Sequence, residues 1–256
     1  IGMNTTYGPK LSPPILSIVL LFSFLNGQPA NKDYYRTAAE VGVFLFLEYG
    51  YTGESPSLET STEAPNSFDQ FFRNKLRWNI DKIDNAKTAS DILLYGLFLG
   101  GIPFTPLISD GDYKTMVLAN VEIMAINGLV TNLVKHTVDR KRPSSYYQTR
   151  DEGGDTYKSF FSGHTSQAFS IGTSTAIMLS RSHPDKKYLI WGSAITLAAT
   201  TGYFRIAADK HYMTDVLSGA LVGSIIGFWV QKKHAKTYFS IVVDPASTHY
   251  QVIWYF

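Results

Sequence analysis

From residue 91 to residue 232 the chain is a succession of long apolar stretches cut by short polar breaks, and this alternation restricts its fold more than any other feature. Residues 91–108, 115–138, 164–180, 188–205 and 213–232 carry apolar side chains at helical spacing, over lengths strands do not reach. Upstream, 34–51 is apolar-rich and 53–67 is a Ser/Thr/Glu/Pro-rich loop without periodicity. Residues 67–82 read as a polar helix with Phe68, Phe71, Phe72 and Leu76 on one face, a face expected in the core. The expectation is an all-α bundle of about six main helices. Only the tail changes character: 238–243 and 250–256 are β-branched and aromatic around Asp244-Pro245-Ala246-Ser247, and predict a small C-terminal β-hairpin. One hairpin cannot close a barrel, despite the terminal Phe256. The expected division is 1–66 as N-terminal apolar helices and a polar loop, 67–236 as a catalytic helical domain and 237–256 as the hairpin tail, together forming one compact unit.

Several of these helices approach spanning length, and 213–232 runs into Lys232-Lys233-His234-Ala235-Lys236, a basic flank of the cytoplasmic kind. Near the N-terminus Lys10 precedes an apolar run from Ile15 to Leu25, followed by Gln28-Pro29-Ala30. That pattern reads as a secretory signal or as a retained first helix, and both readings direct the chain to or through a membrane. Against spanning stand a near-neutral mean hydropathy and the polar Thr165, Ser166, Thr173, Ser174 and Thr175 in 164–180. Soluble and membrane-embedded bundles are both open at this point.

Composition removes several chemistries. The chain has no cysteine, hence no thiol nucleophile, thiolate metal site or disulfide. A net charge of +2 from dispersed Lys and Arg leaves no electrostatic footprint for nucleic acid. No Walker-type Gly-x4-Gly-Lys-Ser/Thr loop is present, and no carboxylate cluster has metal-ligand spacing.

Three short stretches carry the remaining chemistry. Lys135 lies near a helix end and Arg142 follows it by seven residues, with Pro143 arguing that Arg142 leaves the α region. An ammonium point charge and a bidentate guanidinium together suit phosphate oxygens. Ser162-Gly163-His164 opens a helix, where backbone N–H groups bind anions and Gly163 permits close approach. Arg205 is followed by His211 and Asp215, spaced so that a helical Asp215 would accept from the imidazole and fix its tautomer. Alone, these stretches are as readily a solvated helix end, an N-cap and a surface pair. Together they supply three cations, an anion-binding turn and two histidines.

In this order, Lys135-x6-Arg142-Pro143, Ser162-Gly163-His164 and Arg205-x5-His211-x3-Asp215 resemble the three-part signature of the type 2 phosphatidic acid phosphatase (PAP2) superfamily, shared with bacterial acid phosphatases and vanadium haloperoxidases. The resemblance covers 135–215. Phe161 stands where the family commonly has Pro before Ser-Gly-His, and Phe204 where it often has Ser or Gly, but neither departure touches a proposed ligand group. The resemblance implies a metal-independent phosphatase acting on phosphomonoesters or diphosphates. In that reading Lys135, Arg142, Arg205, Ser162 and the Gly163 backbone hold the phosphoryl oxygens. His211 attacks phosphorus to give a phosphohistidine, Asp215 orients His211, and His164 protonates the leaving oxygen and then activates water. No cofactor is implied, and vanadate would bind as a phosphate mimic. The implied partner is a lipid phosphate or isoprenoid diphosphate at a membrane surface, and the implied place is a bacterial envelope with the site facing the periplasm. Two other classes stay open, a vanadium-dependent haloperoxidase and a non-catalytic phospholipid-binding envelope protein. His136, His183, His234 and His249 are expected at the surface.

Overall fold

The computed structural model describes residues 31–50 and 64–235. The expected hairpin, the apolar run from Ile15 to Leu25 and His249 lie outside the described residues. Seven helices organise the rest: α1 (Asn31–Leu45), α2 (Ser67–Leu76), α3 (Ile83–Leu99), α4 (Tyr113–Val138), α5 (Gly163–Ser182), α6 (Lys187–Ala207) and α7 (Met213–Ala235). Among the described residues there is no strand.

Helix α5 is the hub, packed against α3, α4, α6 and α7, and from residue 163 to 180 none of its residues is fully exposed. Its serines point inward. Ser166 Oγ donates to Asn127 Oδ1 at 2.6 Å, and Ser174 is bonded to Asn120 and receives Gln231 Nε2 at 2.7 Å. The polar content that argued against a lipid-facing helix is therefore spent on interhelical hydrogen bonds, which hold helices together where apolar burial discriminates little. The α5–α7 crossing is closest. A Cβ at Gly219, Gly223 or Gly227 would run into the backbone of Ser162, Ser166 or Ser170, so a ridge of glycines every fourth residue lets the two backbones touch.

Local chemistry sets the ends of the other helices. Asp112 caps α4 by accepting from the Thr115 backbone N–H at 2.8 Å, and α4 stops where Asp139 turns left-handed (φ 45°). Arg142 is extended (φ −66°, ψ 149°) and Pro143 opens a short helical turn, Pro143–Tyr146, as the residue before a proline requires. Helix α3 starts upstream of the expected residue 91 and continues into a π turn, Gly100–Phe104, around Pro103. Pro103 has no N–H for the helical ladder, and in the same turn the Gly101 carbonyl accepts from Asn120 Nδ2 at 2.8 Å.

Val117, Val121, Ile123 and Met124 of α4 form the main core with Val41, Ile102, Ile171 and Val230. Leu99, Leu133, Leu221, Phe228 and Trp229 face outward. Three segments are long and apolar enough to cross a membrane, Ile83–Leu107, Tyr113–Tyr146 and Met213–His234.

Two expectations fail. Helix α2 ends at Leu76 rather than residue 82, and its Phe68 and Phe71 are exposed while Asp69 and Arg73 are buried. The ion pairs of those two side chains outweigh the apolar stripe in orienting the helix. His234 is not at the surface: it is 5% exposed and bonded through Nε2 to the buried Glu122 at 2.6 Å, beside Lys233 and Arg36.

Candidate active site

The C-terminal end of α4, the start of α5, the end of α6 and the loop entering α7 meet at one end of the bundle, and each brings one part of the predicted set. Gly163 shows how tightly they converge. A Cβ there would lie 3.5 Å from Lys135 Nζ and 3.0 Å from a Thr131 methyl, so the absence of a side chain keeps the space between the ammonium and the helix N-terminus open. Ser162 is the N-cap of α5, with its hydroxyl 2.8 Å from that of Thr165. Ser162 takes the N–H groups of Thr165 and Ser166, and the start of the helix, at Gly163, is where an anion is favoured.

Arg142 and Arg205 are 5% and 4% exposed. Arg142 Nε donates to the Asp155 carbonyl at 2.9 Å, with the Asp155 carboxylate 3.9 Å away. Arg205 NH1 donates to Ser90 Oγ at 3.1 Å, and its buried Nε has no protein partner. A buried guanidinium N–H left without an acceptor is what an anion site presents before its anion arrives.

His211 lies ahead of the first turn of α7 and is 2% exposed. Its Nδ1 donates to the Ser159 carbonyl at 2.7 Å, which leaves Nε2 as the nitrogen with a free lone pair. Burial, then the positive charges of Arg142, Arg205 and Lys135, hold its pKa well below the ordinary histidine range. Its surroundings thus favour the neutral imidazole, with three cations close enough to act on it.

Residues 117–238 match the profile of the PAP2 superfamily. That stretch, just under half of the chain, holds all eight predicted site residues.

Known PAP2 relatives are similar over part of their lengths. The chain is 31% identical over 146 residues to a lipid A 1-phosphatase of Porphyromonas gingivalis, covering 55% of this chain and 28% of the relative. It is 26% identical over 142 residues to lipid phosphate phosphatase 1 of Arabidopsis thaliana, covering 45% and 43%. The chain thus spans less than half the length of these relatives. Among solved structures, the transmembrane PAP2-type phosphatidylglycerolphosphate phosphatase from Bacillus subtilis superposes with a TM-score of 0.51 at 19% identity, over 79% of this chain and 97% of that one. At that identity the likeness speaks for the fold.

Within the matched segment the expected His211–Asp215 hydrogen bond is not made. His211 precedes the helix, so four-residue spacing does not place the side chains in contact, and Nδ1 is 3.7 Å from Asp215 Oδ2. Asp215 Oδ2 instead accepts from the Tyr212 backbone N–H at 2.9 Å and from Ser159 Oγ at 2.6 Å. Ser159 therefore stands between the two, its hydroxyl on Asp215 and its carbonyl on His211. Asp215 anchors the loop that aims His211, one residue removed.

Other members of this constellation have no signal in the three motifs. Arg140 pairs with Asp215 and with Asp69 of α2, at 2.7 Å from the latter, and stacks over the Tyr212 ring at 4.5 Å. Arg73 of α2 pairs with Asp209 at 2.6 Å, which explains why these α2 side chains are buried. Lys210, next to His211, is paired with Glu152, and burial lowers its pKa to about 8. Neither Arg140, two residues before Arg142, nor Asp69, far upstream, was read from the sequence. Among the described residues no group of three or more His, Asp or Glu side chains is arranged to hold a metal.

Proposed function

We propose that this protein is a metal-independent phosphatase that hydrolyses a lipid-linked phosphomonoester or diphosphate through a phosphohistidine. The observation that carries the reading is the convergence of Lys135, Arg142 and Arg205 on a neutral, buried His211 whose Nδ1 is already bonded. The three cations and the α5 N-terminus hold the phosphoryl oxygens, the preorganised electrostatic arrangement that dominates phosphoryl transfer. His211 Nε2 forms a bond to phosphorus as the bond from phosphorus to the leaving oxygen breaks. The proton on His164 passes to that oxygen. Water then attacks phosphorus, its proton returns to His164, the N–P bond breaks, and inorganic phosphate is released.

The lipid assignment draws on the relatives, which are named for lipid A and lipid phosphates, and on the three segments able to cross a membrane. A periplasm-facing site in a bacterial envelope is part of the same proposal, and vanadate is expected to compete as a phosphate mimic.

The test is turnover of phosphatidate, an isoprenoid diphosphate, lipid A and a soluble phosphoester by the detergent-solubilised chain, with chelator present. Lipid substrates should be preferred, and His211→Ala should abolish both turnover and the acid-labile phosphoprotein trapped by rapid quench. Full activity in His211→Ala would remove the proposed nucleophile. Halide peroxidation on adding vanadate, without phosphatase activity, would favour the haloperoxidase alternative.

A further inference from the structure

His164 is not left to itself. Its Nε2 is 2.7 Å from Oδ1 of Asp91 on α3, a residue outside the three motifs. Asp91 Oδ1 also lies 3.6 Å from Arg205 NH1, and the neighbouring Ser90 Oγ receives that same nitrogen at 3.1 Å. The start of α3 thus reaches across to the end of α6 and the start of α5, and ties the second histidine to the third cation. We infer that Asp91 is a positioning residue for the leaving-group proton: it fixes Nε2–H on His164, makes Nδ1 the nitrogen that exchanges the proton, and favours the imidazolium needed in the first step.

The inference rests on the phosphatase reading and deepens it. A carboxylate bonded to one imidazole nitrogen sets the tautomer and leaves the other nitrogen for chemistry. Here the charge of that carboxylate matters as much as its geometry. The other charges acting most strongly on His164 are cationic, Arg205 from α6 and Lys135 from α4, with Arg142 beyond them and Lys87 one turn before Asp91 on α3. The carboxylates of Glu48, Glu152 and Asp155 act on those cations rather than bonding His164. The loop entering α7 brings His211 and Lys210, the latter paired with Glu152. Without Asp91, nothing anionic on these elements bonds His164, and its protonated form loses its one direct support until substrate arrives. Burial and the cations lower the pKa of both histidines, that of His164 to about 4. The difference lies in their partners: a backbone carbonyl bonds His211, whereas a carboxylate bonds His164 and opposes the shift. A general acid with such a partner is easier to charge than one without it.

The experiment compares two substrates that differ in their need for a proton. An alkyl phosphate leaves as a strongly basic alkoxide, whereas p-nitrophenyl phosphate leaves as a stabilised phenolate. In the solubilised full chain, Asp91→Ala and Asp91→Asn should move the basic limb of the kcat/KM profile for the alkyl phosphate to lower pH by about one unit. Alkyl phosphate turnover should fall roughly 10- to 100-fold, within the range assigned to general acid catalysis, while p-nitrophenyl phosphate turnover falls much less. Asp91→Glu should recover part of the loss, and Asp91→Asn, which keeps the acceptor without the charge, should lie between Ala and wild type. Inhibition by inorganic phosphate should persist in all three, showing that the cation site is intact. An unmoved pH limb, or an equal loss on both substrates with phosphate inhibition retained, overturns the inference and leaves the phosphatase reading standing. Wild-type protein that hydrolyses neither substrate overturns both.

Discussion

A buried neutral histidine makes its own prediction about stability. Burial and three cations depress the His211 pKa in the folded protein, whereas in an unfolded chain it is about 6.5. Below that value the unfolded state binds the extra proton, so the contribution of His211 is fully present above about pH 6.5 and is lost as pH falls toward the folded pKa, by up to about 1.4 kcal/mol per pH unit. The thermal midpoint in detergent should drop between pH 6.5 and 5, and His211→Gln, which cannot be protonated, should flatten that drop; an equally steep fall in the variant would contradict the assignment. The residues that matter most here divide sharply in legibility. Lys135, Arg142, Ser162, Gly163, His164, Arg205, His211 and Asp215 were legible only jointly, as three stretches whose order resembles a known signature. Ser159 and Asp91 were not. Ser159 acts on His211 through a carbonyl that every residue possesses, and Asp91 begins no motif and meets His164 only because α3 packs beside α5.

Helices position these residues through backbone contact more than through side-chain fit, and the glycine ridge of α7 is the clearest case. Gly223 lies against the backbone of Ser166, where no flexible side chain can move aside. Gly223→Ala should therefore destabilise the bundle by about 1–3 kcal/mol, as overpacking does, whereas Gly96→Ala on α3, with open space around it, should not; equal thermal midpoints for the two variants would refute the close crossing. Gly219, Gly223 and Gly227 were visible in the sequence, yet nothing local said which helix they faced. Helix α2 was misread for the opposite reason. Its four apolar residues at helical spacing are a strong local signal, but Asp69 and Arg73 on the other side find Arg140 and Asp209, and unpaired buried charge is far more expensive than exposed phenylalanine. The break at Pro143 followed from the proline rule and was correctly anticipated, whereas α4 was read from residue 115, two residues past its start, and its Asp112 cap was not read. The upstream start of α3 was not read either, since no side-chain cap marks it.

For the molecule as a whole, α3 and α7 carry apolar exteriors, while α4 is largely buried in an apolar core beside the hydrogen-bonded serines of α5. Three segments qualify for spanning, and Leu99, Leu133, Leu221 and Trp229 are each more than half exposed. The expressed chain should stay with the membrane pellet through an alkaline carbonate wash and be released only by detergent; recovery in the wash supernatant would show that these faces are covered some other way. Sequence alone left this open, because averaging hydropathy over α5 and its neighbours hid the fact that the polar residues share one interior. The central place of α5 also has a consequence for biosynthesis. This helix is made before α6 and α7, and when it leaves the ribosome α4 already offers Asn127 and Asn120 to Ser166 and Ser174. Gln231 and the glycine ridge come later, with the segment that carries His211. The order of translation therefore keeps His164 and His211 apart until α7 docks on α5.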